Sequence, residues 1–239
     1  MNAFAGALAV MFLFRGKLDI AAYLMIIAAV FDFFDGLVAR AFKASSELGK
    51  QLDSLSDVIS FGIVPAMIGH LIFVLDPALQ QYPVWLSFVP AIMVPFSAYR
   101  LGKFNLDTRQ SISFIGLPTP ANGLFWAGLA LIFSYYRDSE ATSLCANLAH
   151  LLIKALEYPI VIPTLSIVLS FMLVSEIPLF AMKFKGYQWK GNEVKIIFIG
   201  LSLLLIAALQ IVATPFIFLL YILLSLIQNF INRNHELRS

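Results

Sequence analysis

The chain has 239 residues, of which 60% are hydrophobic and only 13% charged, at a mean hydropathy of +0.87. This excludes an ordinary soluble domain, and apolar runs of about 17 or more residues read as a polytopic all-α membrane protein. A net charge of +2 gives no sign of a nucleic-acid partner, and the single Cys145 excludes an internal disulfide.

Residues 3–14 are apolar but fall short of the ~20 residues that a helix needs to cross the hydrocarbon core. They lack a basic n-region and a small-residue cleavage site, so no cleavable signal peptide is expected. The chain is expected to begin inside its first transmembrane helix, at a truncated or misassigned start. Further spans are predicted at about 18–41, 50–75, 83–104, 120–136, 158–182, 194–213 and 215–232. That makes a transmembrane bundle of about eight helices, one domain over residues 1–239. Pro215 is expected to break the last apolar stretch into two helices with a tight turn. Residues 137–157, of mixed charge, suit an outside loop or an interfacial helix. His70, alone among apolar residues, reads as structural.

Eight spans sort the basic residues. One side receives Arg40, Lys43, Lys50, Arg100, Lys103, Arg109, Lys183, Lys185, Lys190, Lys195, Arg233 and Arg238, which is 12 of the 16. The other keeps Arg15, Lys17, Arg137 and Lys154. The positive-inside bias assigns the first side to the cytoplasm.

Four carboxylates lie inside this apolar sequence, where ionisable groups are costly and mark functional sites. Asp32 and Asp35 are spaced i,i+3 and share a helix face; Asp53 and Asp57 are i,i+4 and share another. A turn near Ala44 and Ser45 brings all four to about one depth, roughly 10–20 Å from the turn at ~1.5 Å per residue. Only Arg40 is near in sequence to offset them, so divalent cations are the natural remedy. Mg²⁺ is commonly held by a few carboxylates together with substrate phosphates.

Asp32-Phe-Phe-Asp35-Gly36-Leu-Val-Ala39-Arg40, then eight residues, Gly49, Asp53 and Asp57, resembles the signature of the CDP-alcohol phosphotransferases. These are membrane enzymes that build phospholipid head groups. The resemblance implies two divalent ions, Mg²⁺ or Mn²⁺, with Asp32 and Asp53 bridging them, Asp35 completing the first and Asp57 on the second. Asp57 is also the implied general base. Gly36 and Ala39 would let the nucleotide approach the helix backbone. Arg40 suits a bidentate phosphate contact, and the Ser46 hydroxyl would reach the nucleotide. Gly49 reads as a helix-packing glycine. Against the family pattern, Asn2-Ala-Phe-Ala-Gly6 looks like the middle of the first helix.

A second constellation comprises Tyr99-Arg100-Leu-Gly-Lys103-Phe104-Asn105 and Phe114-Ile-Gly116-Leu117-Pro118-Thr-Pro120-Ala121. With Leu52-Asp53-Ser54-Leu55 and Ser60-Phe61-Gly62-Ile-Val-Pro65-Ala66, it resembles the phosphatidylserine synthase branch of that family. Gly102 departs from the branch, which usually has alanine there. Arg100 and Lys103 suit the carboxylate of serine or a lipid phosphate. Asn105 reads as a helix-end group, and Glu176 as a partner of Lys183 or Lys185. The resemblance implies CDP-diacylglycerol and L-serine as substrates, CMP and phosphatidylserine as products, and a homodimer among membrane lipid. It also implies a bacterial inner (cytoplasmic) membrane, with the active site at the cytoplasmic helix ends. The alternatives are a sister enzyme taking glycerol 3-phosphate, inositol or choline, and a divalent-cation transporter. The transporter would need a continuous polar path that the apolar outer halves of these helices do not offer.

Overall fold

With water excluded from the bilayer core, the backbone must satisfy its own polar groups, and helices do so within each segment. The computed structural model describes residues 1–41, 46–106, 114–180 and 192–236, and is almost wholly helical. Helix α1 (Asn2–Leu13) turns through Gly16, at φ 69°, into α2 (Leu18–Ala41). Buried alanines (Ala5 and Ala9 on one helix, Ala21, Ala22 and Ala28 on the other) let the two backbones pack closely.

Helix α3 (Glu47–Val58) continues into α4 (Val64–Leu75) through one widened π-turn, Ile59–Ile63. Pro65 supplies the reason. It has no N–H for the carbonyl of Phe61 and its ring crowds that turn, so the ladder shifts: Val64 N–H bonds Ile59 O instead. A 3₁₀ segment, Val84–Ile92, which contains Pro90, leads into α5 (Met93–Leu106). Then follow β1 (Phe114–Ile115), α6 (Thr119–Tyr136), α7 (Leu144–Leu156), α8 (Val161–Val174) and β2 (Pro178–Leu179). Helix α9 (Glu193–Leu209), a 3₁₀ turn at Gln210–Val212 and α10 (Ala213–Glu236) close the described chain.

Leu18–Leu37, Glu47–Leu75 and Val84–Leu106 are each long and apolar enough to cross a membrane. Helices α7 and α8 pass that test only together, and they meet at 90°. The predicted span 158–182 is therefore shorter, with an angled helix in front of it where an interfacial one was expected. The stretch Glu193–Ile231 is apolar over 39 residues. A straight helix would hold Phe198 and Tyr221 about 35 Å apart, yet their rings lie 5.9 Å apart. It is a hairpin of two spans. The break falls at Gln210, at φ 51°, rather than at Pro215. Pro215 occupies the first turn of α10, where its missing N–H costs nothing.

Hydrogen bonds show which helix ends lie together. At one end Lys50 Nζ donates to Asn105 O at 2.8 Å, Asn105 Nδ2 to Ser54 Oγ at 2.8 Å, and Asn229 Nδ2 to Pro178 O. There β1 pairs antiparallel with β2, Phe114 opposite Leu179. Gly116, at φ 78°, fixes that junction: a Cβ would meet Leu173 O at 2.5 Å. At the other end Arg137 Nη1 donates to Leu75 O at 3.3 Å, and Cys145 Sγ to Ala208 O at 3.3 Å. His70, with Nδ1 3.0 Å from Ser87 O and its ring stacked on Phe88, is structural.

Candidate functional site

The start of α3 is set locally. Ser46, extended at φ −124° and ψ 153°, caps the helix by accepting the Gly49 N–H at 3.0 Å. From that cap the α-helical pitch brings Asp53 and Asp57 to one face, toward α2. Asp32 lies within hydrogen-bonding reach of both, and the charge of Asp35 acts on Asp32 and Asp53. Burial is graded. Asp35 and Asp53 are exposed, Asp32 is half-buried, and Asp57 is 7% exposed.

An open cleft of ≈ 520 Å³ lies before the acids, lined by Asn2, Asp35, Gly36, Ser46, Lys50 and Asp53 among others. A Cβ on Gly36 would meet nothing within 4 Å, so this face of α2 is bare backbone toward open space. Ala39 and Arg40 belong to the last turn of α2, and their side chains lie outside the described residues. Lys43, Arg109, Lys183, Lys185 and Lys190 lie outside them too. Gly49 lines the cleft, and a Cβ there would meet Ser46 Oγ at 3.1 Å and no other helix. The packing role expected for Gly49 is corrected to a local one at the cap.

Two cleft residues escaped the sequence reading. Lys50, counted there only as a topology charge, lines the cleft, with its ammonium donating to Asn105 O at 2.8 Å. Asn2 is 3% exposed, and its Nδ2 donates to Asp57 Oδ1 at 2.8 Å. Its carbonyl accepts from Ser60 Oγ at 3.3 Å, and Gly6 leaves room for that contact, since a Cβ there would meet Ser60 Oγ at 2.3 Å. The available signal was a polar residue four positions before a glycine in an apolar helix, both on one face.

Arg100 and Lys103 part company. Arg100 is 7% exposed, donates from Nη1 to Thr119 Oγ1 at 3.5 Å, and feels the charge of Asp57. Lys103 instead pairs with Glu176 at 3.3 Å, on the outside. Lys183 and Lys185, the partners expected for Glu176, lie outside the described residues. Asn105 is a helix-end group, tied to Ser54.

The acids offer only carboxylate oxygen, the ligand that small hard cations prefer. Among the described residues no three His, Cys, Asp or Glu side chains already converge as a metal site. The set therefore fits an ion whose remaining positions are taken by phosphate oxygens and water, as is usual for Mg²⁺.

The CDP-alcohol phosphatidyltransferase family model matches residues 1–156. Over 161 residues the chain is 32% identical to the archaetidylserine synthase of Methanothermobacter thermautotrophicus, covering 66% of each protein. It is 30% identical over 162 residues to the CDP-diacylglycerol–serine O-phosphatidyltransferase of Bacillus subtilis, 66% of this chain and 85% of that one. The enzyme of the same name from Helicobacter pylori is 28% identical over 209 residues, 87% of this chain and 79% of its own.

Proposed function

The chain belongs to the CDP-alcohol phosphatidyltransferase family, and from that membership we propose that it transfers the phosphatidyl group of CDP-diacylglycerol to L-serine. The observation that carries the reading is the cluster of four carboxylates, two of which, Asp35 and Asp53, line the cleft together with the bare backbone of Gly36. The names of its relatives, archaetidylserine and phosphatidylserine synthases, support serine as the acceptor.

Asp32, Asp35, Asp53 and Asp57 would hold the divalent metal, as two ions, Mg²⁺ or Mn²⁺. When bound, these ions neutralise the pyrophosphate and stabilise the attacking and leaving oxygens. The protein's own groups do the rest. Gly36 and Ala39 admit the nucleotide, while Ser46, Lys50 and Arg40 meet its phosphates. Asp57, the most buried of the acids, accepts the proton of the serine hydroxyl. The serine oxygen bonds to the phosphorus that carries diacylglycerol. The bond from that phosphorus to the bridging oxygen breaks, and CMP leaves with that oxygen. Arg100 receives the serine carboxylate.

The protein is an integral membrane protein, by its apolar helices. A bacterial inner membrane, a cleft open to the cytoplasm and a homodimer belong to the same proposal. The 12 basic residues assigned to the cleft end favour that orientation. Beyond the π-turn the buried face of α4 is apolar, with Ile68, Ile72 and Phe73, which argues against the transporter. Purified protein given CDP-diacylglycerol and each candidate alcohol should release CMP with L-serine. Release with inositol, choline or glycerol 3-phosphate but not serine would move it to a sister enzyme.

A further inference from the structure

A second polar feature lies behind Asp57, away from the cleft. Helices α5 and α6 make few direct contacts with each other, and both rest on the π-turn. A Cβ on Gly62 would meet Ser97 Cβ at 3.3 Å, and one on Gly123 would meet the Phe61 ring at 2.9 Å. Between them runs a polar seam: Ser97 and Arg100 on α5, Thr119 and Asn122 on α6, none more than 7% exposed. Arg100 bridges to Thr119, and Asn122 Nδ2 points at Met93 Sδ, 3.7 Å away. Three of their atoms, Ser97 Oγ, Arg100 Nε and Asn122 Oδ1, have no hydrogen-bond partner among the described residues.

Buried polar atoms are nearly always paired, and each orphan is costly. Here three gather in one seam and differ in kind. Arg100 Nε–H is a donor with full positive charge behind it, and Asn122 Oδ1 is an acceptor on the adjoining turns of α6. A purely structural core would have little reason to keep a charged donor and an amide oxygen unpaired in one seam. Together they match a small zwitterion, whose carboxylate accepts and whose ammonium donates. The seam also adjoins Asp57, whose charge acts on Arg100.

We propose that the seam between α5 and α6 is the acceptor pocket for a free α-amino acid. Asn122 Oδ1, helped by Ser97 Oγ, takes its ammonium while Arg100 takes its carboxylate. The pocket rests on the serine reading above and adds the group that selects for the amine. Asn122 thereby disfavours choline, whose quaternary nitrogen has no N–H to give, and Arg100 disfavours polyols, which bring no carboxylate to meet it. Asp57 then stands between two substrates, with nucleotide on the cleft side and amino acid on the seam side.

The test uses the full chain in detergent with its metal and CDP-diacylglycerol, and three acceptors. These are L-serine, 3-hydroxypropionate, which lacks the ammonium, and ethanolamine, which lacks the carboxylate. In wild type, serine should exceed both analogues. Asn122→Leu should raise the KM for serine about ten- to a hundredfold, the size of one charge-assisted hydrogen bond. It should leave the KM for CDP-diacylglycerol within about twofold, and turnover of 3-hydroxypropionate unchanged. Asn122→Asp keeps the volume and an acceptor oxygen, so it should keep serine binding and reject 3-hydroxypropionate more strongly. That variant carries the test if the leucine variant fails to fold. Equal losses with serine and 3-hydroxypropionate, or an equal rise in KM for both substrates, would overturn the pocket while leaving the serine reading intact. Wild-type CMP release with another alcohol and none with serine would overturn that reading, and the pocket with it.

Discussion

The bond from Asn2 to Asp57 is the most direct test of how the site is held. Asn2→Ala deletes a 2.8 Å donor to a carboxylate that is 7% exposed, in a place water does not readily reach. A hydrogen bond to a charged group contributes about 1.5–3 kcal/mol, so its loss corresponds to roughly ten- to 150-fold in rate if the bond orients Asp57 in the transition state. The loss should fall on kcat, because Asn2 supports the proposed base and not a substrate. Asn2→Asp should be worse than Asn2→Ala, since it adds a like charge beside Asp57. The assay is CMP release under saturation of each substrate in turn, with thermal stability in detergent as the folding control. An alanine variant within about twofold of wild type in kcat would refute the argument. So would a loss explained wholly by the KM of CDP-diacylglycerol.

Asp32→Ala, Asp53→Ala and Asp57→Ala should each remove nearly all activity, and chelation should do the same to wild type; full turnover after complete metal depletion would sink the carboxylate reading. Asp57→Asn should bind the nucleotide lipid better than Asp53→Asn, measured by equilibrium binding without turnover. Gly116→Ala should lower the melting temperature. It forces a side chain into a φ of 78° with a carbonyl oxygen 2.5 Å from the new Cβ, and strained backbone of that kind costs of order 1–3 kcal/mol. An unchanged melting curve would show that the β1–β2 junction moves freely. With Cys145 replaced by Ser, cysteines at Lys43, Arg109 and Lys190 should react with impermeant reagents only after the membrane is opened. Cysteines at Gln80 and Ser139 should react in intact cells, and labelling at Lys43 from outside would reverse the orientation.

The acidic constellation was legible because its information is periodic. Residues i,i+3 and i,i+4 on two helices around one turn fix depth and facing without knowledge of anything else. Asn2 was not legible, because its partner is distant in sequence and its own neighbours are apolar. Lys103 and Arg100 look alike in sequence, one turn apart on one helix. Packing separates them: Arg100 is buried against Thr119 of α6, while Lys103 meets the exposed Glu176. The break at Gln210 was misplaced onto Pro215 for a similar reason. A proline announces itself, whereas a glutamine forced to φ 51° does so only once both helices are packed.

The π-turn at Ile59–Ile63 has an evolutionary consequence. One residue beyond the α-helical repeat amounts to about 100° of rotation, so the two halves of the Glu47–Leu75 rod are geared rather than continuous. Removing a single residue there would take out that extra rotation. It would also swing Gly69, now facing Pro90 and Trp126 at 3.0–3.1 Å from a notional Cβ, out toward lipid while Asp53 and Asp57 kept their place. The coupling runs both ways: substitutions on α4 can adjust its fit to the membrane without turning the acids. The rod is thus intolerant of any change in length, and descendants of this chain should keep the count of residues between Asp57 and Pro65 even where the exposed Val74 and Leu75 at the end of α4 vary.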